Sequence, residues 1–483
     1  MSDGTLAMRG SIWYVIGISL VAALGGFLFG FDLVVVSGTI KSITKIFDLE
    51  GVRLGWATSC AVFACIPGAG FAGKLADAFG RKKVLIGTAI LFGISAVGAG
   101  WSHSLAAFSF YRILGGLAMG AASGVAPIYI AETAPTRLRG RFVSFYQLAI
   151  VIGLSAAYYS NYFLLAIGDD AWRWMLTAGV VPAALFLGFL FLVPETPRWL
   201  AKKGDDDAAL TVLARVDGAA YARSEMAVIR ETLQVRRGSL RDLLKPRMLR
   251  IVVIGSLLGI FSQISGVNAV LVYAPDIFEK AVANDSRSRS SASQPNTTAP
   301  ATDADDIKDA FFRSSLIGLT FIVFTFIPIL FVERFGRRPI LMVGVGIMAG
   351  ALMMITALMS DPSGSHGPLL IALILVYIAA YASSIACLTW VVLSEIFPNR
   401  IRGEAMSVAN LSLWTANSVL LLTFPVIQKH FGLAAPFAVY AGTCVVIVLF
   451  VWKFIPETKG KSLEEIEIQL VGLPPKEDVL ITR

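Results

Sequence analysis

Twelve apolar stretches, each long enough to cross a bilayer, constrain this chain more than any other feature. They fall near 12–36, 55–75, 84–102, 105–129, 143–166, 172–193, 251–275, 311–332, 339–359, 368–393, 405–427 and 434–455. About 20 mostly apolar residues span a hydrocarbon core of about 30 Å. Inside lipid every backbone N–H and C=O must be satisfied within the protein, so segments of this length and spacing are expected as helices. With 56% hydrophobic and 15% charged residues and a mean hydropathy of +0.72, the 483 residues have too little polar material to coat a water-soluble globule. The fold class is therefore an all-α membrane protein.

A second feature divides the twelve into six and six. Gly80-Arg81-Lys82, Glu132 to Arg139 and Pro194-Glu195-Thr196 return as Gly336-Arg337-Arg338, Glu395 to Arg402 and Pro456-Glu457-Thr458, at offsets of 256, 263 and 262 residues. Kept order and spacing, which chance matches to single short motifs would not show, mark a duplicated unit. The domain organisation read from this is a first six-helix bundle over 1–200, a cytoplasmic linker over 201–250, a second bundle over 251–460 and a tail over 461–483. The linker mixes Ala, Leu, Val, Arg and Glu at helical spacing and predicts short amphipathic helices. Residues 282–309, rich in Ser, Thr, Asp and Pro, read as a mobile outer loop with glycosylation sequons at Asn284 and Asn296.

Most of the 41 basic residues fall on the side of the alternate loops that holds both chain ends, which predicts cytoplasmic termini. The net charge of +8 is accounted for by that asymmetry and calls for no nucleic-acid partner. Cys60, Cys65, Cys387 and Cys444 lie in or near spans and read as small buried hydrophobes rather than a disulfide or metal site. The first apolar run is too long for a signal-peptide core and has no cleavage site behind it, so it is expected to stay in place. No cofactor is implied, and since one chain holds a complete pathway a monomer suffices.

Two ionisable side chains sit inside spans. Asp32 lies in the outer third of the first and Arg112 in the outer third of the fourth, at similar depth. A charge at the bilayer centre costs about 2.5 to 3.5 kcal/mol on insertion scales, so the two are expected to pair. Such a pair either locks two helices or acts as a proton switch, in which protonating Asp32 frees Arg112. The carboxylate at 32, where an asparagine could not titrate, favours the switch. Gln147, Gln263, Asn268 and Asn417 add amides within spans, and Phe29, Tyr273, Trp390 and Trp414 add flat apolar faces. Amides can hold a hydroxyl-rich solute such as a monosaccharide or polyol, and aromatics can stack on its apolar face.

These motifs resemble the sugar porters of the major facilitator superfamily along nearly the whole chain outside 282–309. The residues that carry the likeness are Gly73, Asp77, Gly80 to Lys83, Tyr111-Arg112, Glu132, Arg137, Arg139-Gly140, Gln147-Leu148 and Pro194 to Leu200. The second half adds Gln263, Gly266, Asn268, Tyr273 to Pro275, Gly336 to Arg338, Glu395, Pro398, Arg402-Gly403 and Pro456 to Gly460. The resemblance implies two pseudo-symmetric six-helix bundles and alternating access. It further implies a cytoplasmic gate in which Glu132, Glu195, Glu395 and Glu457 pair with Arg81, Arg139, Arg337 and Arg402 when the inner side is shut.

The chain departs from the family around the sugar site, with Ser262-Gln263 for two glutamines, Val272-Tyr273 for two tyrosines, Phe321 for an asparagine, Ala386-Cys387 for Gly-Pro, and Leu413 for a polar residue. Fewer hydrogen bonds there weaken discrimination between hydroxyl patterns, which leaves the identity of the sugar open. The expected function is proton-coupled uptake of a monosaccharide or polyol, with passive facilitation or a non-transporting sensor as alternatives. An enzyme is not expected. Gly460-Lys461-Ser462 lacks the earlier glycine of a phosphate loop, Ile455 standing there, and His103, His366 and His430 form no catalytic set.

Overall fold

A computed structural model describes residues 10–234, 240–293, 304–361, 366–398, 401–459, 461 and 463–471. Among them there are helices and no strands, and twelve helical segments are long and apolar enough to cross a membrane, from Ile12–Gly38 to Ala434–Phe454. Each covers the apolar stretch read from sequence, with ends differing by a few residues. The chain divides into two compact units, one of residues 1–49 and 57–236, the other of 50–56 and 237–483.

The first unit holds α1 (Ile12–Val35), α2 (Ile40–Phe47), α3 (Val52–Phe79, its first turn counted with the second unit), α4 (Arg81–Gly100), α5 (Leu105–Thr133), α6 (Arg139–Leu164), α7 (Ala171–Thr177), α8 (Val180–Leu192), α9 (Pro197–Lys202) and α10 (Asp206–Gln234). Small residues let its helices approach where no hydrophobic effect drives them together. A Cβ added at Gly30 of α1 would lie 1.9 Å from the Ile150 carbonyl oxygen of α6, and one at Gly153 of α6 would lie 2.0 Å from that of Phe27. Gly116 and Gly120 of α5 abut the carbonyls of Ala61 and Cys65 of α3 in the same way. The sixth span breaks between α7 and α8, where Pro182 cannot donate the backbone bond that would continue one helix into the other.

The second unit holds α11 (Leu240–Leu243), α12 (Pro246–Ile264), α13 (Val267–Ser293), α14 (Ala304–Phe335), α15 (Arg337–Ser360), α16 (Gly367–Ala382), α17 (Ile385–Ile396), α18 (Arg402–Phe431), α19 (Ala434–Phe454) and α20 (Leu463–Val471). It repeats the packing of the first. The pairs α1 with α6, α4 with α5, and α4 with α8 have their counterparts in α12 with α18, α15 with α16, and α15 with α19. Residues such as Leu192, Phe163 and Val343 stay exposed on helix faces, which suits a surface solvated by lipid.

Two elements differ from the sequence reading. Over 282–309 the composition predicts a loop, but α13 runs on to Ser293 and α14 begins at Ala304, because the Ala, Ser and Arg residues there tolerate a helix already nucleated in the span. Residues 294–303, including the sequon at Asn296, lie outside the described residues, as do 472–483 of the tail. After the first bundle, α10 is one long element broken at Asp217 and Gly218, the glycine taking φ 88°. It has a small core of its own in Ala209, Leu213, Ala214, Ala222, Met226 and Ile229, against which Leu200 and Tyr221 pack.

Candidate functional site

In the first unit, α1 and α5 bring Asp32 and Arg112 together. Arg112 Nη1 lies 2.6 Å from Asp32 Oδ1, and Nη2 donates to the Asp32 backbone carbonyl at 3.2 Å. The side chains are 3% and 12% exposed, so the pair is screened by protein on nearly every side. A buried pair loses several kcal/mol when one partner is neutralised, because the other is left as an uncompensated charge. Neutralising Asp32 is therefore a large local perturbation, which is what a switch needs. Phe29, one turn before Asp32, and Gln147 on α6 are both half-buried, and the seam of α1 with α6 runs beside them through Gly26 against Tyr146 and Gly30 against Ile150.

Gln263 and Asn268 of the second unit lie at a helix break. The seventh span is interrupted at Ser265-Gly266, where Gly266 has φ 97° and a Cβ would fall 2.2 Å from the Tyr440 ring. Tyr377 on α16 holds the break by donating to the Ser265 carbonyl at 2.8 Å. Gln263 and Asn268 flank it and bond each other, Asn268 Nδ2 donating to Gln263 Oε1 at 2.6 Å while Gln263 Nε2 donates to Ser262 Oγ at 3.0 Å. Thus the serine that replaces a glutamine serves as an acceptor for its neighbour. The tenth span breaks at Ser383-Ser384, between α16 and α17, and Trp390 follows on α17 with 38% of its surface exposed. On α18, Trp414 and Asn417 are buried, and Asn417 Oδ1 has no hydrogen-bond partner. Tyr273 stands apart from these, being only 1% exposed with its ring stacked on Phe424 at 4.5 Å between centroids.

The duplicated charged motifs build the same device in each unit. Arg81 opens α4 and meets Glu132 at the end of α5, Nε to Oε2 at 3.0 Å, with Asp77 at 3.2 Å from Nη1. Arg337 opens α15 and meets Glu395 near the end of α17 at 3.0 Å. Among the described residues Glu195 and Glu457 form no ion pair with a guanidinium in this structure, whereas the expected pairing is that of the gate with its inner side shut. Each caps a helix N-terminus, where free N–H groups and the helix dipole attract an anion. Glu195 accepts from the backbone N–H of Arg81 at 3.0 Å and of Lys82 at 3.1 Å, and Glu457 from those of Arg337 and Arg338, both at 3.1 Å. Burial raises the Glu195 carboxyl above its ordinary range, against the pull of these donors. Burial acts on Glu457 too, but there the N–H groups of Lys459, Arg337, Arg338 and Thr458 outweigh it and hold the carboxyl below the ordinary range.

Two arginines of the expected gate find other partners. Arg139 turns to Glu225 of α10 at 3.4 Å, and Thr136 donates to the same carboxylate at 3.1 Å. Arg402 donates from Nε to the Phe397 carbonyl at 3.2 Å. Sequence reasoning missed Glu225, whose one signal was its place on an amphipathic helix. Among the described residues no group of three or more His, Cys, Asp or Glu side chains could hold a metal ion.

The profile of a family described as "Sugar (and other) transporter" matches residues 18–470. The arabinose-proton symporter of Bacillus subtilis (strain 168) is 36% identical over 464 residues, covering 95% of each chain. The D-xylose-proton symporter of Escherichia coli (strain K12) is 36% identical over 495 residues, covering 94% of this chain and 95% of the relative. Among solved structures, the inward open conformation of a xylose transporter from E. coli superposes with a TM-score of 0.80 at 33% identity, covering 94% of this chain and 99% of that one.

Proposed function

Because the chain belongs to the sugar (and other) transporter family, we propose that it takes up a monosaccharide or related polyol together with a proton by alternating access. It is a multi-pass membrane transporter rather than an enzyme. The observation that carries the proton coupling is the buried pair of Asp32 and Arg112 at 2.6 Å. Protonation of Asp32 removes the counter-charge of Arg112 at a place where water cannot replace it, so the helices carrying the two residues have reason to rearrange. The names of relatives that couple arabinose or xylose to protons support the same reading. One charge moved through about 100 mV gains about 2.3 kcal/mol. At tenfold per about 1.4 kcal/mol that supports roughly a fortyfold solute gradient, so one proton per sugar suffices.

In this reading Gln147, Gln263, Asn268 and Asn417 meet substrate hydroxyls, and Phe29, Trp390 and Trp414 meet the apolar face of the ring, with Tyr273 supporting from behind. The two N-terminal caps and the pairs of Arg81 with Glu132 and Arg337 with Glu395 form the gate on the cytoplasmic side, where both termini lie, and Arg139 and Arg402 anchor its edges. Transport in this reading needs one copy of the chain and no nucleic acid.

The test is uptake of labelled D-xylose, L-arabinose, D-galactose and D-glucose into vesicles carrying the protein, with an inward proton gradient imposed. Accumulation of one sugar above equilibrium, abolished by an uncoupler, is the expected result. Equilibration that an uncoupler leaves untouched would make the protein a facilitator.

A further inference from the structure

Beside the ion pair lie two buried polar atoms that the pair leaves unused. Asp32 Oδ2 has no hydrogen-bond partner, and neither has the hydroxyl of Ser95 on α4, a residue only 1% exposed. Buried polar atoms are nearly always satisfied, so each orphan calls for an explanation. A helical serine in an apolar setting ordinarily satisfies itself by donating to the carbonyl four residues back. Ser155 does so onto Val151 and Ser418 onto Trp414, but Ser95 does not.

Gly115 of α5, nearly one turn beyond Arg112, connects the two. A Cβ placed there would lie 2.4 Å from Ser95 Oγ and 3.7 Å from Asp32 Oδ2. The missing side chain thus leaves one notch that both oxygens border, contributed by α1, α4 and α5.

We propose that Ser95 is a positioning residue for the proton, its hydroxyl serving as hydrogen-bond partner to the protonated Oδ2 of Asp32. The proposal rests on the proton-coupling reading above. The chemistry of the donors assigns the roles. Arg112 has N–H donors only and already holds Oδ1, so it stabilises the carboxylate and has nothing to offer an O–H group. A proton arriving from solution and bonding to Oδ2 makes a new donor, and a donor buried away from water needs an acceptor. Ser95 Oγ has lone pairs free for it. In the ion-paired state the two oxygens are not bonded to each other, so this bond is made only when the proton arrives and favours the protonated form.

The pair's field also reaches the thiols of Cys60 and Cys65 on α3. Tyr146 of α6 packs against Gly26, nearly two turns of α1 away. Neither set offers a carboxylate or a base.

The experiment compares wild type, Ser95→Ala, Ser95→Thr, Gly115→Ala and Asp32→Asn in vesicles, using whichever of the four labelled sugars wild type accumulates. Two quantities are read, counterflow exchange at fixed pH and the pH at which gradient-driven uptake falls to half on the alkaline side. Loss of the acceptor disfavours the protonated form, so Ser95→Ala is expected to move that midpoint down by about one pH unit. Counterflow should stay within about twofold. Ser95→Thr keeps the hydroxyl and the wild-type midpoint. Gly115→Ala fills the notch, pushes the hydroxyl aside and moves the midpoint in the same direction as Ser95→Ala. A wild-type midpoint in both Ser95→Ala and Gly115→Ala, while Asp32→Asn abolishes accumulation, overturns the proposal and leaves the coupling reading standing. Counterflow and uptake falling together with no shift in midpoint make Ser95 structural and also overturn it. Undiminished accumulation by Asp32→Asn overturns the coupling reading and this proposal with it.

Discussion

Replacing Gly80 by alanine disturbs one of the two duplicated caps at its tightest point. Gly80 precedes α4 with φ 102° and ψ 158°, a region essentially reserved for glycine. Forcing a side chain into such a conformation costs of order 1 to 3 kcal/mol. The added Cβ would also stand 2.2 Å from Glu195 Oε2, so the carboxylate must move. Moving it loosens its bonds to the N–H groups of Arg81 and Lys82, worth about 1 kcal/mol or somewhat more together for a half-buried acceptor. The total is about 3 kcal/mol. At roughly 2 to 4 °C per kcal/mol for a unit of this size, Gly80→Ala should melt roughly 6 to 12 °C below wild type in detergent micelles. Tryptophan fluorescence is a suitable probe. The reasoning makes a second demand, that Gly80→Ala and Glu195→Ala be less than additive, since each damages the same cap, with a coupling of about 1 kcal/mol. Strict additivity, or a Tm within about 2 °C of wild type, would refute it.

Three further outcomes follow from the same geometry. Gly336→Ala should lower the Tm to a similar degree, because Gly336 has φ 86° and its Cβ would meet Glu457 Oε2 at 2.6 Å; melting the two glycine variants side by side checks whether the halves are equivalent. The caps should respond oppositely to pH. Glu457 is held below the ordinary carboxyl range, so its contribution is present above about pH 4.5 and fades as pH falls through the lowered value. Glu195 is raised, so the folded state holds its proton more tightly and ionisation erodes stability as pH climbs through that raised value. Melting curves at several pH values should therefore show Glu457→Gln losing ground to wild type above that range and Glu195→Gln gaining it. Gly30→Ala should sharply reduce the yield of folded protein on gel filtration, since 1.9 Å to a backbone carbonyl leaves no flexible atom to give way.

Much of the architecture is legible in the sequence because a bilayer leaves few choices. Span length and the partner of a buried charge are set by the cost of polar groups in lipid, which is why Asp32 and Arg112 could be paired from depth alone. What escaped reading depends on tertiary placement. That Glu195 and Glu457 accept from the N–H groups that open α4 and α15 depends on elements more than a hundred residues away, and no local pattern encodes it. Arg139 finds Glu225 on α10, 86 residues along the chain, which no local pattern announces. The break in the tenth span falls at Ser383-Ser384, although the sequence draws attention to Ala386-Cys387 in place of a Gly-Pro pair. The helical course of 282–293 was hidden because composition reports the ability to bury a core, not whether an existing helix will carry on.

The central claim is that the charge state of Asp32 couples proton movement to solute movement. The most direct measurement is proton flux itself, recorded with a pH-sensitive dye trapped in lightly buffered vesicles while the accumulated sugar is added outside without any imposed gradient. The account predicts alkalinisation of the outer medium, and acidification inside, on sugar addition to wild type, with no such signal from Asp32→Asn even though counterflow exchange persists. A sugar-induced proton flux of wild-type size in Asp32→Asn would contradict it.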